Sequence, residues 1–234
     1  MCEVITVMAK KLFITGTGTD TGKTYVSALI LKKLAGSGSS AAYFKAAVSG
    51  NERGEDGRLI PGDPLYVIEI SGISQPLEEM CPYVYQQPLS PHLAARLEGE
   101  PVSMERVLES FRRVCAQYDY ITVEGSGGII CPLRFDEKKL WLADLIKELS
   151  LSCLLVADAG LGVINSVGLT ACYMRRENLP LKGIILNRFK PGNAMHEDNL
   201  KMCEYVSGAK VVACLEDYDT QLDIPAEELA SLFE

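Results

Sequence analysis

The chain is poor in the residues that build metal centres and disulfide frameworks. It has two histidines, His92 and His196, which is too few for a histidine-rich metal site. Eight cysteines are present, but the nearest two in sequence are Cys203 and Cys214, so no C-x-x-C pair exists. Cys153 and Cys214 fall in apolar, strand-like runs. These thiols therefore read as buried and free, in a reducing cytoplasm, rather than bridged. A metal, if one is used, is then expected to be a hard cation held by oxygens. No run approaches the roughly 18 apolar residues of a membrane span. No charged-then-apolar signal segment opens the chain, and residues 1–7 read as a short leader before Met8. Cationic residues are outnumbered, 23 Lys and Arg against 31 Asp and Glu, for a net charge of −8. With no Lys/Arg cluster, a nucleic-acid partner or an anionic membrane surface is not expected. Internal repeats, low-complexity tracts and linkers are also missing, so residues 1–234 read as one domain.

What is there is an alternation of apolar runs with helical patterns. At 234 residues and 47% hydrophobic, the chain can bury one sizeable core. Strand-like runs recur at Lys11–Thr15, Ala41–Ala47, Tyr120–Glu124, Cys153–Ala157, Gly183–Leu186 and Lys210–Cys214. They are continuous rather than alternating, as when helices cover both faces of a sheet. Tyr25 to about Leu34, Met104–Gln117 behind a Ser103 cap, and Leu140–Leu149 carry apolar residues at helical spacing. The fold expected is α/β, with a doubly wound, mostly parallel sheet flanked by helices. Ser49–Gly62, with four glycines and mixed charge, reads as a mobile surface loop.

The first run flows into Gly16-Thr17-Gly18-Thr19-Asp20-Thr21-Gly22-Lys23-Thr24, and a helical pattern follows. A strand, a glycine-rich turn ending in Gly-Lys-Thr and a helix make a phosphate-binding loop. Backbone N–H groups close around the phosphates, Lys23 meets the β and γ oxygens, and the Thr24 hydroxyl suits Mg²⁺. The helix directs its positive end at the anion. Five residues separate Gly16 from Gly22, one more than the usual spacing.

Ligands of an open α/β sheet sit at the carboxyl ends of its strands. The second run ends in Lys45, with Ser49 four residues on; alone, such a lysine is as often a snorkelling edge residue. The third ends in Glu124 followed by Gly125-Ser126-Gly127-Gly128, which fits a Mg²⁺ ligand beside backbone that approaches phosphate. The fifth ends in Asn187-Arg188, where an amide can read a purine edge or simply make a turn.

Together these residues resemble the dethiobiotin synthetase family. The resemblance runs from Lys11 to about Cys214 and includes the long phosphate-loop spacing. Its other carriers are Tyr43-Phe44-Lys45-Ala46-Ala47-Val48-Ser49-Gly50, Ser90-Pro91-His92, Val123-Glu124-Gly125-Ser126-Gly127-Gly128, Leu161-Gly162-Val163-Ile164-Asn165 and Leu186-Asn187. The resemblance implies an ATP- and Mg²⁺-dependent closure of a ureido ring, from 7,8-diaminononanoate and CO₂, in a cytoplasmic homodimer. Lys23 and Lys45 would carry the charge neutralisation. Gly18, Thr19, Asp20, Thr21, Gly22, Gly127, Asn187, Arg188 and Glu216 would contact nucleotide. Thr24, Asp63 and Glu124 would hold Mg²⁺, with Asp56 the competitor of Asp63. Ser49, Ser90 and Gly128 would line the diamine. Its carboxylate would be received by Gly162, Val163 and Asn165 of the second subunit. Two departures stand out: Asp20 where the family often has Glu, and Cys214-Leu215-Glu216-Asp217-Tyr218 where an Ile-Pro pair commonly clamps adenine.

Two other readings share this fold. A cobyrinic acid amidating synthetase would add a glutaminase domain with catalytic Cys and His. A partitioning or septum-positioning ATPase carries a lysine where this chain has Thr17, and works through a basic surface or an amphipathic C-terminal helix. Here residues 225–234 are acidic.

Overall fold

A computed structural model describes residues 9–234; the leader expected at residues 1–7 lies outside the described residues. The six apolar runs form the strands of one parallel sheet. In chain order these are β1 (Lys10–Gly16), β2 (Ala41–Lys45), β5 (Tyr120–Glu124), β8 (Ser152–Asp158), β9 (Leu181–Asn187) and β10 (Val211–Cys214). Between β2 and β5 lies a short antiparallel ribbon, β3 (Glu52–Arg53) with β4 (Leu59–Ile60). Between β5 and β8 lies a hairpin, β6 (Pro132–Phe135) with β7 (Lys139–Trp141). The spatial order of the large sheet is β10-β9-β8-β1-β5-β2. The chain thus builds outward to one side of β1, then returns to fill the other. That reversal places a ligand crevice at the carboxyl end of β1.

Helices cover both faces. They are α1 (Lys23–Gly36), α2 (Gly62–Ser71), α3 (Leu77–Met80), α4 (Pro91–Glu98), α5 (Met104–Cys115), α6 (Leu142–Glu148), α7 (Val163–Arg176), α8 (Ala194–Ser207) and α9 (Ala226–Ser231). Alternate residues of each strand point to opposite faces, so Leu12 and Ile14 pack under α1 while Phe13 packs on the α5–α6 side. All three are fully buried. Each such side chain contributes about 1.5–3 kcal/mol to stability, which is why the strands read as unbroken apolar runs.

Three expectations are revised. Ser103 precedes α5 but makes no side-chain cap; its backbone N–H donates to the Tyr83 hydroxyl at 3.0 Å. The helix expected from Leu140 begins at Leu142, because Lys139–Trp141 pair as β7. The segment Ser49–Gly62 is not a loose loop. It carries the β3–β4 ribbon, and Asn51 at its base is buried. Asn51 Nδ2 donates to Val48 O and Tyr85 O, and its Oδ1 accepts from Gly62 N at 2.9 Å. The last bond satisfies an open donor at the start of α2, next to Asp63.

Candidate active site

β1 turns into α1 through the phosphate loop. Gly22 sits just before the helix with φ +90°, a conformation glycine adopts without penalty. A Cβ there would overlap Asn187 Nδ2. Asn187 is buried, and its Nδ2 donates to Thr21 O at 3.0 Å. The amide nitrogen expected to read a purine edge is thus spent on bracing the loop. Asn187 Oδ1 has no donor among the described residues. Lys23 folds back, with Nζ donating to Gly18 O at 2.8 Å. Burial pushes the Lys23 pKa below its ordinary 10.5, while the charge of Glu124 pulls the other way.

An open cleft of about 1180 Å³ runs from this loop across the ends of β5 and β2. Thr19, Asp20, Gly22, Lys23 and Thr24 line one end of it. Lys45, Ser49, Asp63, Ser90, Glu124, Gly127, Gly128 and Arg188 line the rest. Lys45 and Glu124 are opposite each other at the last register of the β2–β5 pair. Asp63, in the first turn of α2, reaches the same point.

These side chains make one network. Lys45 Nζ donates to Asp63 Oδ2 at 2.6 Å and to Glu124 Oε1 at 2.8 Å. Thr24 Oγ1 donates to the same Glu124 oxygen at 2.9 Å. The other oxygen, Oε2, accepts from the Tyr43 hydroxyl at 3.0 Å. The Lys45 and Glu124 side chains are 7% and 0% exposed, so this pairing is buried; Asp63 is 38% exposed. Desolvation opposes the Lys45 charge, but the two carboxylates outweigh it and hold its pKa above 10.5. Burial, then the charge of Glu124, holds the Tyr43 phenol well above 10.0.

Asp56 stands on the β3–β4 ribbon, 63% exposed, with Arg58 as its 3.8 Å partner, and does not line the cleft. Thr24, Asp63 and Glu124 thus present a hydroxyl and two carboxylates around a seated ammonium. Among the described residues no group of three or more His, Cys, Asp or Glu could hold a metal alone. Mg²⁺ fits such a set, because it takes one or two carboxylates and completes its shell with water and phosphate.

Of the remaining expected residues, Ser49, Ser90 and Arg188 line the cleft and the others lie outside it. Gly18 and Thr21 belong to the loop but do not line the cleft, and the Thr21 side chain is buried. Arg188, with φ +56°, joins Asp158 Oδ2 at 2.6 Å and Asp20 O at 3.0 Å. Glu216 is exposed beyond β10, away from the cleft. The Ser49 hydroxyl donates to Leu89 O at 2.6 Å, and Ser90 Oγ lies 3.1 Å from His92 Nδ1. Gly162, Val163 and Asn165 open α7, outside the cleft of their own chain; Val163 is buried and Asn165 exposed. Tyr43 was missed in the sequence because an aromatic in an apolar run reads as core. Its signal is period two: it lies two residues before Lys45, hence on the same face.

A parallel sheet with this loop at its central strand defines the class, a P-loop nucleotide-binding enzyme. Matching the described fold, a family model described as an AAA domain covers residues 10–224. ATP-dependent dethiobiotin synthetase BioD from Brachyspira hyodysenteriae is 45% identical over 228 residues, covering 97% of this chain and 100% of that protein. Its namesake from Clostridium perfringens (strain ATCC 13124) is 46% identical over 206 residues, 88% and 90% of the two chains. The chain belongs to the ATP-dependent dethiobiotin synthetase family. Among solved structures, the Pyrococcus furiosus cell division ATPase MinD aligns with a TM-score of 0.51 and 16% identity, over 96% of this chain and 97% of that one. A putative plasmid partition protein from Borrelia burgdorferi, bound to AMPPNP, gives 0.53 and 15%, over 96% and 98%. At such identities the likeness is one of fold. Among the described residues no helix is long and apolar enough to cross a membrane.

Proposed function

We propose that this chain closes a ureido ring on 7,8-diaminononanoate, taking up CO₂ and converting ATP to ADP and phosphate, as a step of biotin synthesis. The observation that carries this reading is Lys45, buried at a strand end between Asp63 and Glu124, and facing the same cleft as the phosphate loop. A site that only hydrolyses nucleotide has no need of a second lysine beyond the loop. A cleft of about 1180 Å³ exceeds the roughly 300–1,000 Å³ of ordinary small-molecule sites, so a second substrate has room beside the nucleotide.

One amine of the diamine adds to CO₂ and loses a proton, giving a carbamate. A carbamate oxygen attacks the γ-phosphorus and ADP leaves. The second amine then attacks the carbonyl carbon of the mixed anhydride and loses a proton, the C–O bond to the phosphoryl group breaks, and phosphate leaves as the ring closes. No protein nucleophile is required; the work is positioning and charge neutralisation. Lys23, moving from Gly18 O onto the β/γ region, and Lys45, beside the carbamate, bring two positive charges where two anions must meet. Thr24, Asp63 and Glu124 would hold Mg²⁺, which when bound neutralises charge on the β and γ oxygens. Gly127 and Gly128 offer backbone to phosphate and diamine, and Ser49 and Ser90 line the diamine side. Asn187 through Oδ1, Arg188 and Glu216 would contact the nucleotide, and of the three Arg188 lines the cleft.

The alkyl chain of the diamine carries its carboxylate far from the reacting amines. We assign that carboxylate to the start of α7, residues Gly162 to Asn165, of a second copy of this chain in a two-fold dimer. The support is that these residues lie outside their own cleft, at a helix start suited to an anion. The decisive experiment measures ADP release that requires both diamine and bicarbonate, with mass detection of the cyclic urea. ADP release indifferent to the diamine would instead favour a switch ATPase.

A further inference from the structure

Glu124 is the most enclosed charge of the network, and only one of its oxygens faces the cations. Oε1 is shared by Lys45 and Thr24, while Oε2 is directed into the protein, onto the Tyr43 hydroxyl. The two oxygens of an ionised carboxylate are equivalent, but the plane that carries them turns freely about the last bond of a flexible glutamate. It rotates unless its second oxygen is held.

The residue that holds it is itself held. β2 is the outermost strand of the sheet, so one edge of its backbone lacks a neighbouring strand. At Tyr43 that edge is closed by a side chain. Tyr43 N donates to Gln75 Oε1 at 2.7 Å, and Gln75 Nε2 donates to Tyr43 O at 3.1 Å. Gln75 is buried, and Tyr43 is 0% exposed. Gln75 holds the backbone of Tyr43, close packing around the buried ring leaves the phenol no open space, and its hydroxyl donates to Glu124 Oε2.

We propose that Tyr43 is a positioning residue for the metal–nucleotide site, fixing the plane of the Glu124 carboxylate so that its free oxygen is aimed at the cation. It touches neither nucleotide nor diamine, since it does not line the cleft. The inference rests on the assignment of Glu124 as a metal ligand. Gln75 is the outer member of the same chain of contacts, running from edge backbone to phenol to carboxylate.

The test is Tyr43→Phe in the full chain, which keeps the ring and deletes one hydroxyl. Mn²⁺ binding to the ADP complex is read by electron paramagnetic resonance or calorimetry, beside ADP binding in chelator. Partners that orient metal ligands typically matter 10–100-fold, so Mn²⁺ affinity is expected to fall about tenfold or more. ADP affinity without metal should hold, and activity should return as Mg²⁺ is raised. A phenol that merely packs the core would lower the unfolding temperature and leave the Mn²⁺ titration where it was; that result overturns the proposal. Glu124→Gln separates the two readings. If Glu124→Gln weakens Mn²⁺ binding and Tyr43→Phe does not, the role of Tyr43 fails alone. If neither changes it, the metal assignment fails and takes Tyr43 with it. In the double variant Tyr43→Phe should add little to the loss from Glu124→Gln, because it acts through that carboxylate. Additive losses would also overturn it.

Discussion

Replacing Lys45 by Gln separates what the ammonium does for the fold from what it does for the reaction. Lys45 is the ion-pair partner of Glu124 among the described residues, at 2.8 Å, and both side chains are nearly inaccessible to water. The other partners of Glu124, Thr24 and Tyr43, are neutral donors. Removing one member of a buried pair usually costs about 3–5 kcal/mol, because the remaining charge is stranded. Two features argue for the lower end: Asp63 is partly solvated, and a glutamine amide can still donate to Glu124. For a chain of this length 1 kcal/mol corresponds to roughly 2–4 °C, so metal-free Lys45→Gln should melt about 6–12 °C below the parent. If Thr24, Asp63 and Glu124 hold Mg²⁺ as proposed, Mg²⁺ with ADP should narrow that gap, since the divalent ion would supply positive charge to the same oxygens. Turnover should not follow; losing a charge that faces the transferring phosphoryl group costs on the order of a hundredfold or more. Calorimetric scans in chelator and in Mg²⁺–ADP, with steady-state rates alongside, read both effects. An unchanged melting temperature in chelator would refute the buried-pair reasoning, and near-normal turnover would remove Lys45 from the reaction.

Gly22→Ala should be severe for its size: the backbone is left-handed there and the new methyl displaces Asn187 from Thr21 O. Strain of about 1–2 kcal/mol plus a lost hydrogen bond of roughly 1 kcal/mol predicts a similar loss in stability, with weaker ATP binding by fluorescence titration. Lys23 titrates below its ordinary 10.5 in the free protein because of burial. The folded chain therefore sheds this proton before the unfolded chain does, so Lys23 adds stability as pH rises between its lowered value and 10.5. Over the same window it would lose the charge proposed to meet phosphate. The alkaline fall of kcat/KM should begin below pH 10.5, and Lys23→Arg should move that fall upward; an unmoved profile would show that another group controls it. For the shared site, a Lys45 variant and an Asn165→Asp variant, each inactive alone, should recover roughly a quarter of parental activity when randomly reassorted as dimers. Mixed dimers confirmed by mass yet still inactive would exclude it.

The large sheet was legible in the sequence because burial on both faces erases alternation and leaves six apolar runs, and these are the six strands of the sheet. The ribbon at Glu52–Arg53 and Leu59–Ile60 was not, since two-residue strands are too short to show any period. The same region hid an ordered feature: Asn51 looks like a turn residue, but its side chain bonds three backbone groups and fixes the start of α2. Asn187 at a strand end is open to reading a base or making a turn, whereas the glycine beside it, Gly22, leaves room for its amide to brace the loop. Local spacing carries no information on which of an amide's two ends is already engaged.

The cation network shows why Lys45 and Glu124 were visible and Tyr43 was not. A charged residue at the end of an apolar run is conspicuous because burial without a partner is so unfavourable that a partner is implied. Parallel register then decides where the partner is: β2 and β5 place Lys45 beside Glu124 as their final pair. Tyrosine raises no such alarm, since its ring alone accounts for burial. Yet a buried hydroxyl still needs an acceptor, and on a strand the acceptor lies toward residues of the same face. Tyr43 shares its face with Lys45, and Lys45 is paired to Glu124. The polar end of an aromatic two residues from a buried lysine therefore carries the same implication as the lysine itself.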